Sequence, residues 1–404
     1  MTAFSRQGGH KSVMAYTGMS GPSGAEDPGD LTTLQAGCDP DGTQASGALY
    51  RICMPFAPFV WNGGLVVYAH GYVTPTAPLS IPAEADQVAL LAIPQGYAFA
   101  TTSYRTNGLA VVEGIADLVD LVNIFKTQKG APNKVYLVGV SEGGLITTLA
   151  VEQNPDVFSG GLAMCGPYGD FREQINYFGD FRVVFDYFFP ELLPGSPISI
   201  PVSLTDNWSS YSLTVTQVIE NPANSGLVDQ LFSVTHAPYD AAAPSTKTET
   251  TLDLLWYNVF ATNDALVKLG GQPFDNQSRL YAGSADDVLL NQGVQRFGAD
   301  QAALNEVDAQ YQATGVLTVP LVTLHTTGDP IIPYWHVARY IGKTIAADNI
   351  ALQQHNRVER YGHCNFTQTE TLNAFSQLVS LVNNPPAYQP VRRLFLPMVT
   401  GAPS

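Results

Sequence analysis

Short apolar runs alternate with stretches of helical periodicity in two parts of this chain. In the first part, the apolar runs predict buried strands at residues 65–69, 97–102, 135–138 and 160–165. Between these runs, apolar residues recur at helical spacing over residues 84–93, 111–126 and 143–152. In the second part, the same patterns predict strands at 319–324 and 350–359 and helices at 334–343 and 367–383. This alternation is typical of an α/β protein with a mostly parallel sheet and helices on both faces.

The segment between the two parts does not continue the alternation. Its first residues are dense in aromatic side chains, and a later stretch, residues 252–260, has helical spacing. We therefore predict a mainly helical lid that is inserted into one α/β core after the sixth strand. The predicted units are a loose arm at 1–30, the first half of the core at 31–167, the lid at 168–315, and the second half with the C-terminal tail at 316–404.

A serine in a glycine-rich turn is the strongest indication of chemistry. The motif Gly139-Val140-Ser141-Glu142-Gly143 follows the predicted strand 135–138 and precedes a predicted helix. A Gly-x-Ser-x-Gly motif between a strand and a helix is typical of a nucleophile elbow, which exposes the serine hydroxyl at the end of the strand. Ser141 is therefore the predicted nucleophile.

An aspartate and a histidine follow Ser141 in the order that this type of site requires. The predicted strand 319–324 runs on through His325 and Thr326-Thr327-Gly328 to Asp329, and His363 follows a glycine after the next predicted strand. The order serine, acid, histidine is that of α/β-hydrolases. Asp286 and Asp287 are the alternative acids, but they do not lie at a clean strand end.

The loop after the first buried strand is the candidate for binding an oxyanion. His70-Gly71-Tyr72 follows strand 65–69, and the loop in this place donates one backbone N–H in the fold. The predicted donors are the backbone amides of Tyr72 and Glu142, while His70 is expected to shape the loop.

These motifs together resemble those of a secreted bacterial α/β-hydrolase of the serine esterase and peptidase superfamily, with a large lid insertion. The resemblance covers roughly residues 48–168 and 316–384. It implies a catalytic triad of Ser141, Asp329 and His363 that cleaves carboxylic esters through an acyl-enzyme. It does not specify the substrate.

The lid is expected to determine substrate specificity, and the expected substrate is a small-molecule or polymeric ester. Phe181 and Phe185 are the predicted pocket residues, because they lie four positions apart and would share one helix face. We therefore expect an apolar or aromatic acyl group to be favoured. A serine peptidase is the main alternative, in which a lid carboxylate among Glu173, Asp180 and Asp186 would bind a terminal amine. A non-catalytic binding protein is a further alternative.

The composition of the chain limits the classes of partner and the cellular compartment that can be expected. The net charge is -16 and only 13% of the residues are charged, which argues against nucleic acid as a partner. No apolar run is long enough for a transmembrane helix, so no stable membrane insertion is expected. The first residues lack an apolar signal segment, and we expect a secreted protein whose signal peptide has been removed. The sequence lacks metal-ligand and phosphate-loop motifs, so neither a metal nor another cofactor is predicted.

The four cysteines favour an oxidising compartment. Cys38 and Cys53 lie in mirror positions of a predicted hairpin and are expected to form a disulfide. Cys165 ends a predicted strand and Cys364 follows His363, so both belong to the active-site edge of the sheet. A bridge between them would brace the histidine loop, although two unrelated buried thiols fit the sequence equally well.

Overall fold

The computed structural model describes residues 37–386. The predicted arm at 1–30, the first residues of the predicted hairpin and most of the C-terminal tail lie outside the described residues. Among residues 37–386, no helix has both the length and the apolar character that a membrane span requires.

One mixed sheet of eight strands organises the described chain. In spatial order the strands are β1-β2-β4-β3-β5-β6-β7-β8. They comprise β1 Gly42–Thr43, β2 Leu49–Cys53, β3 Gly64–Ala69, β4 Ala98–Thr102, β5 Lys134–Val140, β6 Gly160–Met164, β7 Leu321–Gly328 and β8 Gln353–Tyr361. The first two strands are antiparallel to their neighbours, and the remaining pairs are parallel. The carboxyl ends of β3 to β8 therefore meet at one edge of the sheet.

The helices cover both faces of this sheet or belong to the insertion. In chain order they are α1 Ala85–Ala92, α2 Val111–Lys129, α3 Glu142–Gln153, α4 Phe171–Phe188, α5 Val202–Asp206, α6 Trp208–Ile219, α7 Ser225–Thr235, α8 Thr246–Lys268, α9 Asp287–Gly293, α10 Gln301–Glu306, α11 Trp335–Ala346 and α12 Gln368–Asn383. The predicted architecture is confirmed: the sheet is mostly parallel, and a helical insertion follows the sixth strand.

The apolar runs are continuous because both faces of the central strands are buried. In β3, Leu65 and Val67 pack with helices α2, α3 and α11 on one face. The intervening Val66 and Tyr68 pack with α1 and α12 on the other face. Successive side chains of a strand point to opposite faces, so a strand covered on both sides needs apolar residues throughout.

The insertion, α4 to α10, has a hydrophobic core of its own and also contacts the sheet edge. The Tyr177 hydroxyl donates to the Pro330 carbonyl at 2.8 Å, and the Gln174 side-chain amide donates to the Ile331 carbonyl at 2.9 Å. Both contacts attach α4 to the loop after β7. The insertion is therefore held against the edge at which the strands end.

Both cysteine pairs form disulfides. The predicted Cys38–Cys53 bridge is present, and the two residues are antiparallel partners. The second bridge joins Cys165 to Cys364 across 199 positions of the sequence. It connects the end of β6 to the residue after His363, and it therefore restrains the loop that carries this histidine.

Loss of the second bridge should reduce both stability and turnover. Replacing Cys165 and Cys364 by serine removes a restraint worth on the order of 4–5 kcal/mol for so long a loop. It also frees the segment that holds His363, so thermal unfolding and kcat should both decline. The control is the Cys38 and Cys53 double-serine variant, which opens a short loop remote from Ser141 and should lose stability while retaining kcat. Equal losses of kcat in the two variants would contradict the bracing role.

Candidate active site

Ser141 occupies a strained turn between β5 and α3. Its backbone has φ 59° and ψ −122°, a conformation that side chains rarely adopt. The flanking glycines are needed for close contact: a Cβ on Gly139 would lie 1.9 Å from the Gly143 carbonyl oxygen, and one on Gly143 would lie 2.0 Å from the Ala69 carbonyl oxygen. The structure therefore has the geometry of a nucleophile elbow at the predicted position.

A chain of hydrogen bonds connects Ser141 with the two other predicted residues. The His363 Nε2 atom lies 2.9 Å from the Ser141 Oγ atom. The His363 Nδ1 atom lies 2.8 Å from Asp329 Oδ2 and 3.0 Å from Asp329 Oδ1. In this arrangement the imidazole can accept the serine proton at Nε2 while Nδ1–H donates to the carboxylate.

The aspartate is fixed by its own hydrogen bonds. Asp329 is fully buried, and its Oδ1 atom accepts the amides of Ile331 and Ile332, each at 2.9 Å. These two donors stabilise the ionised carboxylate and orient it toward His363. His325 is also buried in this region, but its Nε2 atom bonds to the Ile332 carbonyl at 2.8 Å and is part of the packed core.

The two alternative acids have local structural roles. The Asp286 side chain caps the N-terminus of α9 by accepting the amides of Val288 and Leu289. The Asp287 carboxylate accepts hydrogen bonds from Gly283 and Ser284 in the preceding turn. Neither side chain bonds to His363.

The predicted oxyanion loop lies against Ser141. A Cβ on Gly71 would be 3.2 Å from the Ser141 Cβ atom, which shows how closely the two backbones approach. The His70 Nδ1 atom donates to the Gly71 carbonyl at 2.7 Å, and its ring stacks on Tyr104 with centroids 3.9 Å apart. Within residues 37–386, no hydrogen bond uses the amide of Tyr72 or of Glu142 as donor. Both amides can therefore donate to a substrate oxygen.

The Glu142 side chain is buried behind the elbow. Its Oε1 atom accepts the Ala110 amide at 3.0 Å, whereas its Oε2 atom is buried without a hydrogen-bond partner among the described residues. Burial raises the pKa of this carboxyl to about 8. Glu142 is therefore a neutral carboxylic acid at pH 7, because its carboxylate form would be poorly solvated.

Replacing Glu142 by glutamine should stabilise the protein in alkaline solution. The folded-state pKa is raised above the unfolded value, so the favourable contribution is complete below the unfolded pKa and is lost as pH rises through about 8. Glutamine cannot ionise, and it keeps the carbonyl that accepts the Ala110 amide. The melting temperatures of the two proteins should be similar at about pH 5, and the variant should melt higher at about pH 9. A variant that melts lower at both pH values would contradict a neutral Glu142.

The predicted pocket residues lie elsewhere. Phe181 and Phe185 are fully buried in the insertion's own core, so they present no surface to a ligand. Their shared helix face is real, but it faces the other lid helices. Phe178, one turn before Phe181, instead stacks on Tyr257 with centroids 5.0 Å apart.

Tyr257 is a site residue that sequence reasoning missed. It lies on α8, its ring packs with Ile331, Ile332 and Tyr72, and its hydroxyl lies close to the Ser141 side chain. Burial raises the pKa of this hydroxyl, which keeps it a neutral donor. A polar signal was present in the sequence, since Asp253 and Tyr257 are spaced by one turn on an otherwise largely apolar helix face. That signal could not show which surface the face contacts.

A largely apolar pocket extends from Tyr257 into the insertion. Side chains of α4, α8 and the loops beside them form its walls, among them Ile175, Phe178, Ile198, Leu266 and Phe274. The Tyr257 ring lines this pocket, whereas Ser141, Asp329 and His363 do not.

Two of the lid carboxylates proposed for amine binding are neutralised within the insertion. Asp180 forms an ion pair with Arg279 and accepts the Tyr281 hydroxyl at 2.6 Å. Asp186 forms an ion pair with the fully buried Arg182 at 2.8 Å. Neither carboxylate is left to bind a substrate amine.

One group near the nucleophile has the spacing of a metal site. It consists of Cys165, His363 and Cys364, the only such group within residues 37–386. Both sulfur atoms belong to a disulfide, and a disulfide does not provide the thiolate that metals bind. This group is therefore not a metal centre while the bridge is intact.

Comparison with solved structures shows the fold. The chain superposes on an esterase from Aspergillus oryzae with a TM-score of 0.52 and 13% sequence identity, over 86% of this chain and 79% of that one. For feruloyl esterase B from the same organism, the TM-score is 0.47 and the sequence identity is 14%, over 86% of this chain and 80% of that one. For an acylaminoacyl peptidase from Pyrococcus horikoshii, the TM-score is 0.43 and the sequence identity is 10%, over 89% of this chain and 44% of that one. The sequence matches no protein-family model and no curated protein.

The chain has the α/β-hydrolase fold. The superposition on the first of these structures confirms the fold predicted from the sequence motifs. At identities this low the similarity concerns the fold alone. Function must therefore be argued from the site itself.

Proposed function

We propose that this protein is a serine hydrolase that cleaves carboxylic esters through an acyl-enzyme. The observation that carries the proposal is the continuous hydrogen-bond chain from Asp329 through His363 to Ser141, with the serine held in a strained elbow. Such a chain activates a hydroxyl that is otherwise a weak nucleophile at neutral pH.

In the first step, the Ser141 Oγ atom attacks the ester carbonyl carbon while its proton moves to His363 Nε2. The carbon–oxygen bond to the alcohol then breaks, and His363 returns the proton to the departing alcohol. Water attacks the acyl-enzyme by the same route, so that its proton passes to His363 and then to Ser141, and the acid is released. Asp329 stays ionised and stabilises the imidazolium that forms in each half-reaction.

The proposed oxyanion hole has backbone and side-chain donors. The amides of Tyr72 and Glu142 would bind the negative oxygen of the tetrahedral intermediate, and one such donor contributes roughly 3 kcal/mol to catalysis. The Tyr257 hydroxyl, which lies close to Ser141, would donate to the same intermediate.

An apolar acyl group fits the pocket beside Tyr257. The pocket is lined mainly by aliphatic and aromatic side chains, which suit an apolar group. The substrate is thus a small-molecule ester, or a polymer that presents an ester of such an acid.

Two chromogenic substrates test the proposal. Purified protein is assayed with p-nitrophenyl butyrate and, in parallel, with leucine p-nitroanilide, and a fluorophosphonate probe reports labelling of Ser141. The proposal expects ester turnover and labelling. Faster turnover of the nitroanilide would indicate a serine peptidase instead. Absence of turnover and of labelling would favour a non-catalytic binding protein.

A further inference from the structure

Asp253 is a lid carboxylate whose position is set by its two neighbours on α8. One turn before it, the Thr250 hydroxyl lies 2.9 Å from the hydroxyl of Tyr361, two residues ahead of His363. One turn after it, the Tyr257 ring packs with Tyr72 and Ile332, close to Ser141. Residues three and four apart lie on one face of a helix, so Asp253 faces the region between these contacts. That region contains His363.

Nothing in the described protein neutralises this carboxylate. Within residues 37–386, Asp253 is half-buried and takes part in no ion pair and no side-chain hydrogen bond. The charged groups that act on it are Glu249, His363 and Asp329, and two of these are acids. Burial, followed by Glu249, raises the pKa of Asp253 to about 7. A cation in this region would supply the missing counter-charge.

The two halves of α8 offer different surfaces. The half after Tyr257 lines the apolar pocket with Ala261, Ala265 and Leu266. The half before Tyr257 presents Asp253 toward His363. Because His363 delivers its proton to the departing alcohol, the alcohol must lie on the histidine side and the acyl group on the pocket side. Asp253 is therefore adjacent to the alcohol portion of a bound ester.

We propose that Asp253 selects esters whose alcohol portion carries a positive charge, such as a substituted ammonium group. This inference rests on the proposed ester hydrolase activity and extends it to a substrate class. Trp256 follows Asp253 by three residues on α8 and is half-buried, so an aromatic side chain lies one turn from this carboxylate. Aromatic faces attract quaternary ammonium groups, so the surroundings of Asp253 suit such a cation.

A charged ester and its neutral isostere test this inference. Butyrylcholine and 3,3-dimethylbutyl butyrate have nearly the same shape, and only the first is charged. Wild-type protein should hydrolyse the charged ester with a kcat/KM roughly tenfold higher, as expected for a partly buried contact with a charged group. In Asp253→Asn this ratio should fall to near one.

The control separates a local contact from the general attraction of an acidic protein. Glu220→Gln also removes one negative charge from the insertion, at an exposed position at the end of α6. It should leave the ratio at the wild-type value. An equal decrease in both variants would mean that the net charge attracts the cation, and the role of Asp253 would be refuted.

The outcomes distinguish this inference from the proposed function. If both esters are hydrolysed by the wild type at equal kcat/KM, the cation preference is refuted while the ester hydrolase activity stands. This comparison needs no variant, so it holds even where Asp253→Asn does not fold. If neither ester nor p-nitrophenyl butyrate is hydrolysed, the proposed function itself fails.

Discussion

Replacing Ser141 by alanine is expected to lower kcat for p-nitrophenyl butyrate by about 10⁶-fold. The hydroxyl would be the only atom that bonds covalently to the substrate, and its removal leaves His363 and Asp329 without a nucleophile to activate. The fold should persist, because alanine has the same Cβ as serine and the serine side chain caps no helix amide. Initial rates measured together with a thermal unfolding curve would show loss of turnover in a folded protein.

A second serine provides the control for this variant. Ser376 is exposed on α12, and its hydroxyl bonds only to the carbonyl one turn earlier. Ser376→Ala should keep wild-type turnover and show that the assay does not respond to surface changes. Turnover near the wild-type level in Ser141→Ala would refute the serine hydrolase proposal as a whole.

Local pattern was sufficient to predict the α/β core and the three residues that the structure brings together. A strand buried on both faces must be apolar along its length, and parallel strands place their carboxyl ends at one edge. Ser141 and Asp329 each follow such a strand, and His363 follows the edge strand β8 that is parallel to them. Their side chains therefore converge although they are far apart in the sequence. The Gly-x-Ser-x-Gly motif can be recognised from sequence because the turn that it forms is local.

The contacts of the insertion could not be predicted in the same detail, because they join residues that are far apart in the sequence. Helical spacing placed Phe181 and Phe185 on one face but could not show that this face packs inside the lid. In the same way, Asp253 and Tyr257 share a face whose partner, the edge of the sheet, is known only once α8 is docked. The pairing of Cys165 with Cys364 also depends on that edge.

Replacing Asp329 by asparagine is expected to lower kcat by about 10⁴-fold with little change in structure. The asparagine oxygen can still accept the amides of Ile331 and Ile332. Its amide nitrogen would then face His363 Nδ1, and two donors cannot share a hydrogen bond. The imidazole would adopt the tautomer that carries its proton on Nε2. In that form the ring cannot accept the proton of Ser141, and the nucleophile is no longer activated.

The alternative acids make this prediction specific to one carboxylate. Asp286→Asn and Asp287→Asn alter side chains that serve a helix cap and a turn, so kcat should stay close to the wild-type value in both. The three variants should be compared at one pH with p-nitrophenyl butyrate, and their melting temperatures recorded. If kcat fell severely in Asp286→Asn or Asp287→Asn while Asp329→Asn stayed active, the assignment of Asp329 as the acid would be wrong. A loss confined to Asp329→Asn would show that His363 needs a fixed tautomer, which is a requirement of general-base catalysis and not of ligand binding alone.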